Sequence, residues 1–266
     1  ANMGGGVSKK SIDFRIDVKL KSQNENQTYS GFVDSKGRPT EVGMVITLLK
    51  PVSVTYTGML GSDSKSVQRY GPGTLQYSNG RALMCIWAND DSDVGFEFLG
   101  LESPSRYWGE FKDSKRSGLG VEVDLESHET FEGIWSNGLR HFPGIIGKLL
   151  PHQPELAKQG LSSYAIERLT FVEAPRAPAN GSHVIPDASK YDDSRSAHTA
   201  LLSNTLQAEQ RARVAHLTAL RIRATVEFLI QEYSQHAADR RPPAHFVANL
   251  HAQWLRIKPR NPLEPS

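Results

Sequence analysis

The sequence predicts a mainly β protein with an α tail: an elongated ribbon of antiparallel β-hairpins, then a long C-terminal α-helix and a short return helix. Three observations predict it. Tyr107-Trp108-Gly109-Glu110-Phe111 returns twenty-four residues later as Phe131-Glu132-Gly133-Ile134-Trp135, and a fixed period of this size marks stacked supersecondary units. Segments such as Gly120-Val121-Glu122-Val123-Asp124-Leu125 alternate apolar and polar residues, and Asn79-Gly80 and Asn137-Gly138 supply tight-turn chemistry. Beyond residue 194 the apolar spacing changes to that of a helix.

The elements follow in order. Residues 1–24 form an N-terminal arm and a strand, in which Ile12, Phe14, Ile16, Val18 and Leu20 alternate with polar partners. Within the arm, Met3-Gly4-Gly5-Gly6-Val7-Ser8 followed by Lys9-Lys10 fits the N-myristoylation form. Acylation requires glycine at the amino terminus, so the motif acts only if translation starts at Met3; otherwise it is a glycine-rich arm. Even then, one acyl chain binds membranes only marginally.

Residues 25–150 form the repeat ribbon. Units start at 29, 56, 83, 107 and 131, spaced by 27, 27, 24 and 24 residues. Tyr29-Ser30-Gly31-Phe32 and Tyr56-Thr57-Gly58 open the first two, and Cys85 takes the place of a glycine in the third. In the fourth, Tyr107, Gly109, Gly118 and Gly120 lie at offsets 0, 2, 11 and 13; the fifth keeps Phe131, Gly133 and Gly144. Glycine inside a strand costs stability unless something packs closely there, and aromatic rings are the obvious occupants. The aromatic residues Tyr56, Tyr77, Trp87, Tyr107, Trp108, Phe111, Phe131 and Trp135 are expected to form a repeat face that meets partner proteins.

This pattern resembles the MORN repeat family (membrane occupation and recognition nexus). The family unit reads roughly Tyr-x-Gly-x-Trp, a polar turn, Gly-x-Gly, a short strand and Asp/Asn-Gly. Tyr107-Trp108-Gly109-Glu110-Phe111 with Ser117-Gly118-Leu119-Gly120-Val121 matches it, as do Phe131–Trp135 with Ser136-Asn137-Gly138, and Tyr77-Ser78-Asn79-Gly80. The resemblance covers residues 29 to 147. It implies a stacked hairpin ribbon that serves as a scaffold, as in radial-spoke heads, parasite cytoskeletal collars and membrane junctions. Some members join MORN units to lipid-kinase or SET methyltransferase domains, but the remaining residues here are too few and too helical for either.

Residues 151–193 read as a short helix, Pro151 to Gly160, and an extended linker over 174–190. Residues 194–266 are the helical tail. The long helix is capped near Asp193 or Ser194 and runs to about Asp239, roughly 65–70 Å. Leu201, Thr205, Ala208, Ala212, Ala215, Ala219, Ile222, Val226, Leu229 and Tyr233 follow a 4-3-4-3 spacing, a heptad seam on which a partner helix can approach closely. Leu217, Leu220, Ala224 and Phe228 form a second apolar line. The return helix, Pro243 to Leu255, carries Val247, Leu250 and Trp254 but is too short to cover the whole seam. The repeat ribbon or another protein is expected to cover the rest, and for the latter a homodimer through the alanines and a heteromeric contact fit equally well.

Composition sets the functional bounds. The chain has 266 residues, 38% of them hydrophobic and 23% charged, an ordinary soluble balance, and a net charge of +2, too mild to imply nucleic acid. Basic residues gather in the tail (Arg211, Arg213, Arg221, Arg223, Arg240, Arg241, Arg256, Lys258 and Arg260), a solvated face or a dock for an acidic surface. The ribbon cations, including Arg69, Arg81, Arg116 and Arg140, are balanced by Asp90, Asp91, Asp93 and Glu97. The single cysteine, Cys85, precludes an internal disulfide and a cysteine-based zinc cluster. No apolar run approaches the ~20 residues of a spanning helix, and no secretory signal is visible. No phosphate-cradling loop and no His-Glu-x-x-His appears.

The expected function is therefore non-enzymatic, with no catalytic, metal or cofactor site: a structural subunit of a large assembly, cytoplasmic and cytoskeletal or axonemal by the family resemblance. The alternatives are a peripheral tether to anionic phospholipid and an accessory subunit of a mitochondrial complex.

Overall fold

A computed structural model of the chain describes residues 12–20, 26–62, 67–100, 104–149, 166–172, 194–237 and 242–259. The strands are β1 (Asp13–Leu20), β2 (Asn26–Val33), β3 (Pro39–Leu48), β4 (Val54–Ser62), β5 (Val67–Tyr77), β6 (Ala82–Ala88), β7 (Asp91–Phe98), β8 (Ser105–Lys112), β9 (Lys115–Asp124), β10 (Glu129–Ser136), β11 (Leu139–Leu149) and β12 (Ile166–Val172). They form one sheet in sequence order, β1 through β12. Two helices follow, α1 (Ser194–Ala237) and α2 (Ala244–Ile257). The predicted class, antiparallel β with a long and a short terminal helix, is the observed one.

One element differs. Within 151–193, expected as a short helix and linker, Ile166–Val172 is a strand paired antiparallel with β11, from Gly144↔Val172 to Leu149↔Ile166. The edge of β11 offers unpaired backbone groups that a neighbouring segment satisfies. The arm at 1–11, the helix expected at 151–160 and the linker at 174–190 lie outside the described residues.

The chain divides into two compact units. The first comprises Ala1–Asn79, Met84–Asp90 and Leu217–Ser266; the second comprises Gly80–Leu83 and Asp91–His216. In the first unit, Phe14, Phe32, Val42 and Met59 face Ile222, Val226, Leu229 and Tyr233 of α1 and Val247, Leu250 and Trp254 of α2. Phe14 meets Phe32 edge-on at 4.9 Å and Tyr233 at 4.9 Å. Trp254 is fully buried, and its Nε1 donates to Glu41 Oε2 at 3.0 Å, an acceptor shared with Lys258 Nζ at 2.9 Å. The tail is thus anchored by apolar burial with its one indole donor satisfied.

In the second unit the first part of α1 lies on β7 to β9. Ala208 and Ala212 are fully buried, and side chains this small let a helix backbone come close to a sheet. His216 stacks on Phe96 at 4.2 Å, Arg213 lies 4.8 Å over the Trp108 ring, and Arg211 donates to Glu110 at 2.6 Å.

A row of paired glycines crosses each unit. The first has Gly31↔Gly43, Gly43↔Gly58 and Gly58↔Gly73. The second has Gly95↔Gly109, Gly109↔Gly120, Gly120↔Gly133 and Gly133↔Gly144. In four of the five repeats the opening aromatic residue folds back over this row: Tyr29 onto Gly31 and Gly43, Tyr56 onto Gly58 and Gly73, Tyr107 onto Gly109 and Gly120, Phe131 onto Gly133 and Gly144. A Cβ at any of these positions would run into the ring. The strands that carry these aromatic residues, β2, β4, β8 and β10, shift register directly after the glycine, as at Gly58/Leu60 and Gly109/Phe111. A bulge leaves ladder groups unpaired, and the tyrosine hydroxyl takes a nearby carbonyl three residues on: Tyr29 to Phe32 at 2.6 Å, Tyr56 to Met59 at 2.9 Å, Tyr107 to Glu110 at 3.0 Å. Burial raises all three phenol pKa values well above the ordinary one.

Candidate protein-interaction surfaces

The repeat aromatics expected to meet partners lie mostly inside the fold. Tyr56, Trp87, Tyr107, Trp108, Phe111, Phe131 and Trp135 are buried, and Tyr77 is half-buried. Trp108 belongs to the helix-covered face, beside Phe96 and Arg213. Tyr107 belongs to the other face, edge-on to Trp135 at 5.1 Å, and Trp135 is edge-on to Phe131 at 5.6 Å. These rings fill the trough that the glycines open, so they hold the hairpins together.

The seam residues Leu201, Ala208, Ala212, Ala215, Ala219, Ile222, Val226, Leu229 and Tyr233 are buried too. The chain itself occupies the stripe on which a partner helix was expected. The exposed apolar set is the second line. Leu217 is 65% exposed, Phe228 49% and Leu220 37%, with Ala224 exposed between them. On α2, Leu255 is 52% exposed.

Beside this line, Arg223 pairs with Glu227 one turn on at 2.8 Å, a contact of small worth on a solvated helix. Arg221 and Arg256 are exposed and bonded to no carboxylate among the described residues. They flank a groove of about 500 Å³ between α1 and α2, whose floor is Ala224, Phe228, Leu229, Trp254 and Ile257. A second groove of about 500 Å³ opens on the helix-free side of the first unit, among Leu20, Val45, Val54, Tyr56, Leu75 and Arg69. The cation that lines it is engaged: Arg69 donates to Asp90 Oδ1 at 2.9 Å and lies 4.4 Å over the Trp87 ring.

The sequence reading missed the role of the ribbon arginines. Arg69, Arg116 and Arg140 each stand four residues before a row glycine, Gly73, Gly120 and Gly144. Each guanidinium lies over repeat aromatics: Arg69 over Trp87, Arg116 over Tyr107 at 4.9 Å and Trp135 at 5.0 Å, Arg140 over Phe131 at 5.2 Å. The shared offset was the available signal. In the second unit they extend into a partly buried network. Arg116 donates to Glu97 at 2.6 Å, to Glu122 and to Ser105 at 3.2 Å. Arg81 pairs with Glu97 at 2.6 Å, and Arg140 bridges Glu122 at 2.8 Å and Glu129.

No group of three metal-ligating side chains occurs among the described residues. Among them, too, no helix is long and apolar enough to cross a membrane.

His216 gives the helix-covered face of the second unit a pH dependence. Burial first, then Arg213 and Arg106, push its imidazole down to about 4. The unfolded chain takes up that proton near pH 6.5, so between 6.5 and about 4 the unfolded state binds more protons. Stability therefore falls as pH drops through this window. His216→Phe preserves a ring against Phe96 and removes the contribution. Urea melts at pH 7.0 and 4.5 should differ by about 1–2 kcal/mol less in the variant, the full shift being reduced by partial solvation. An unchanged difference would assign the acid sensitivity elsewhere.

Neither family models nor curated proteins give a match to this chain.

Proposed function

We propose that the chain is a non-enzymatic structural subunit that holds partner proteins in a larger assembly. The exposed line Leu217, Leu220, Ala224 and Phe228 carries this reading. The opposite side of α1 is already filled by the chain's own core, so this second apolar line adds nothing to folding alone. Apolar residues gathered on a solvated helix are the mark of an interaction surface. The cytoskeletal or axonemal placement rests on the MORN resemblance.

The phospholipid-tether reading is disfavoured by the ribbon arginines Arg69, Arg116 and Arg140, which are committed to carboxylates and rings.

The test is endogenous tagging, salt and detergent extraction, and cross-linking mass spectrometry with a carboxylate-reactive reagent, because α1 carries Glu227 and Glu232 but no lysine. A structural subunit stays with stoichiometric partners cross-linked to it. A monomer extracted free of partners, or one recovered on floating liposomes, would sink the proposal.

A further inference from the structure

The groove between α1 and α2 has a definite chemistry. Its floor, Ala224, Phe228, Leu229, Trp254 and Ile257, is apolar, and Arg221 and Arg256 stand at its rim. Leu217, Arg221, Ala224 and Phe228 recur at 4-3-4 spacing, the periodicity that packs one helix along another. One position in this line is a cation, so an occupant must bring an anion to it or bury it unpaired, which is costly. A second copy of the chain fits badly. In a two-fold contact the same patch meets itself, so both copies bring Arg221 and Arg256 to one interface whose nearby carboxylate, Glu227, already pairs with Arg223, and like charges gathered without partners oppose association.

Building on the structural-subunit reading, we propose that this groove receives an amphipathic helix of another protein, its apolar side on Phe228 and Ala224 and its flanking carboxylates on Arg221 and Arg256. This is the helix-in-groove mode, with charge selecting the partner.

Two labelled synthetic peptides of three heptads test it, one with leucine at the core positions and glutamate at the flanks, the other with lysine at the flanks. Both are titrated onto the full chain by fluorescence anisotropy. The glutamate peptide should bind at least tenfold tighter than the lysine peptide and weaken as salt rises. Phe228→Ala should weaken it about tenfold. The pair Arg221→Glu and Arg256→Glu should reverse the preference. All three sites are exposed, so thermal melts should match wild type.

Equal binding of the two peptides, or no reversal, overturns the proposal. So does dimerisation of the wild type by light scattering that Phe228→Ala abolishes, or binding to phosphatidylserine vesicles that the double variant loses. If the groove fails but cross-links in cells map to other surfaces, the structural role stands and only this site falls. If cross-links are absent as well, both fall.

Discussion

Replacing Gly109 by alanine should lower stability by about 3 kcal/mol, at the upper end of overpacking costs, and the melting temperature by roughly 6–12 °C. A Cβ at this position would lie 2.6 Å from the Gly120 Cα and 2.6 Å from the Leu119 carbonyl oxygen, and closer still to the Tyr107 hydroxyl. Two of these obstacles are backbone, so the neighbouring strand must move. Gly138→Ala is the control. Nothing lies within 4 Å of its Cβ position, and only its φ of +86° resists a side chain, at about 1–2 kcal/mol. Urea melts of the two variants decide. If Gly109→Ala stays within 1 kcal/mol of wild type, the close approach of ring and glycine is not what the repeat conserves energy through.

Gly120 separates ring from backbone. The three nearest atoms to its Cβ position all belong to the Tyr107 ring. Gly120→Ala alone should be destabilising, and Tyr107→Leu should relieve part of that, so the double variant should be more stable than the sum of the singles. The chain already holds a related combination, with Leu83 and Cys85 where the other repeats have an aromatic residue and a glycine. Both are buried.

The strands were legible because their signals are local. Aromatic-x-Gly and Asn-Gly each lie within a few residues, and four of the five repeats open with an aromatic residue two before a glycine. Ile166–Val172 carries neither, and it becomes a strand by pairing with the edge of β11. The direction of the rings was less legible. A glycine two residues after the aromatic residue and another in the next strand recur in the repeat, but that the ring lies over both follows only once register pairs them. The α1 seam was plain from spacing, whereas its covering depends on a sheet assembled more than a hundred residues earlier. For the same reason Arg69, Arg116 and Arg140 read only as cations balanced by nearby acids until strand pairing set them over aromatic rings.

Arg116→Met should cost about 3–5 kcal/mol, because it strands partners rather than because the pair is strong. Arg116 and Glu97 are buried, and Arg116 also holds Glu122 and Ser105. Burial by itself raises the Glu122 carboxyl, but Arg116, the Ser105 hydroxyl and Arg140 outweigh it and hold the group below its ordinary value. A depressed carboxylate stabilises the fold above its unfolded value of about 4.3, and that contribution is lost as pH falls through the folded value. Without Arg116 the desolvation is less opposed and the Glu122 carboxyl rises. The gap between variant and wild type should therefore narrow as pH falls from 7 towards 4. Adding Glu97→Gln and Glu122→Gln to Arg116→Met should recover much of the loss; a triple variant as unstable as the single would assign the cost to packing. The network joins residues of β7, β9, β10 and β11, together with Arg81 just before β6. A one-residue slip in any of these strands would carry its charges to the opposite face of the sheet. Similar hairpins side by side invite such slips, and the first unit carries a different pair, Arg69 with Asp90. The charges thus distinguish repeats that the glycines and aromatic residues make alike, and variants lacking them should refold with more mispaired, aggregation-prone material than their loss of stability alone accounts for.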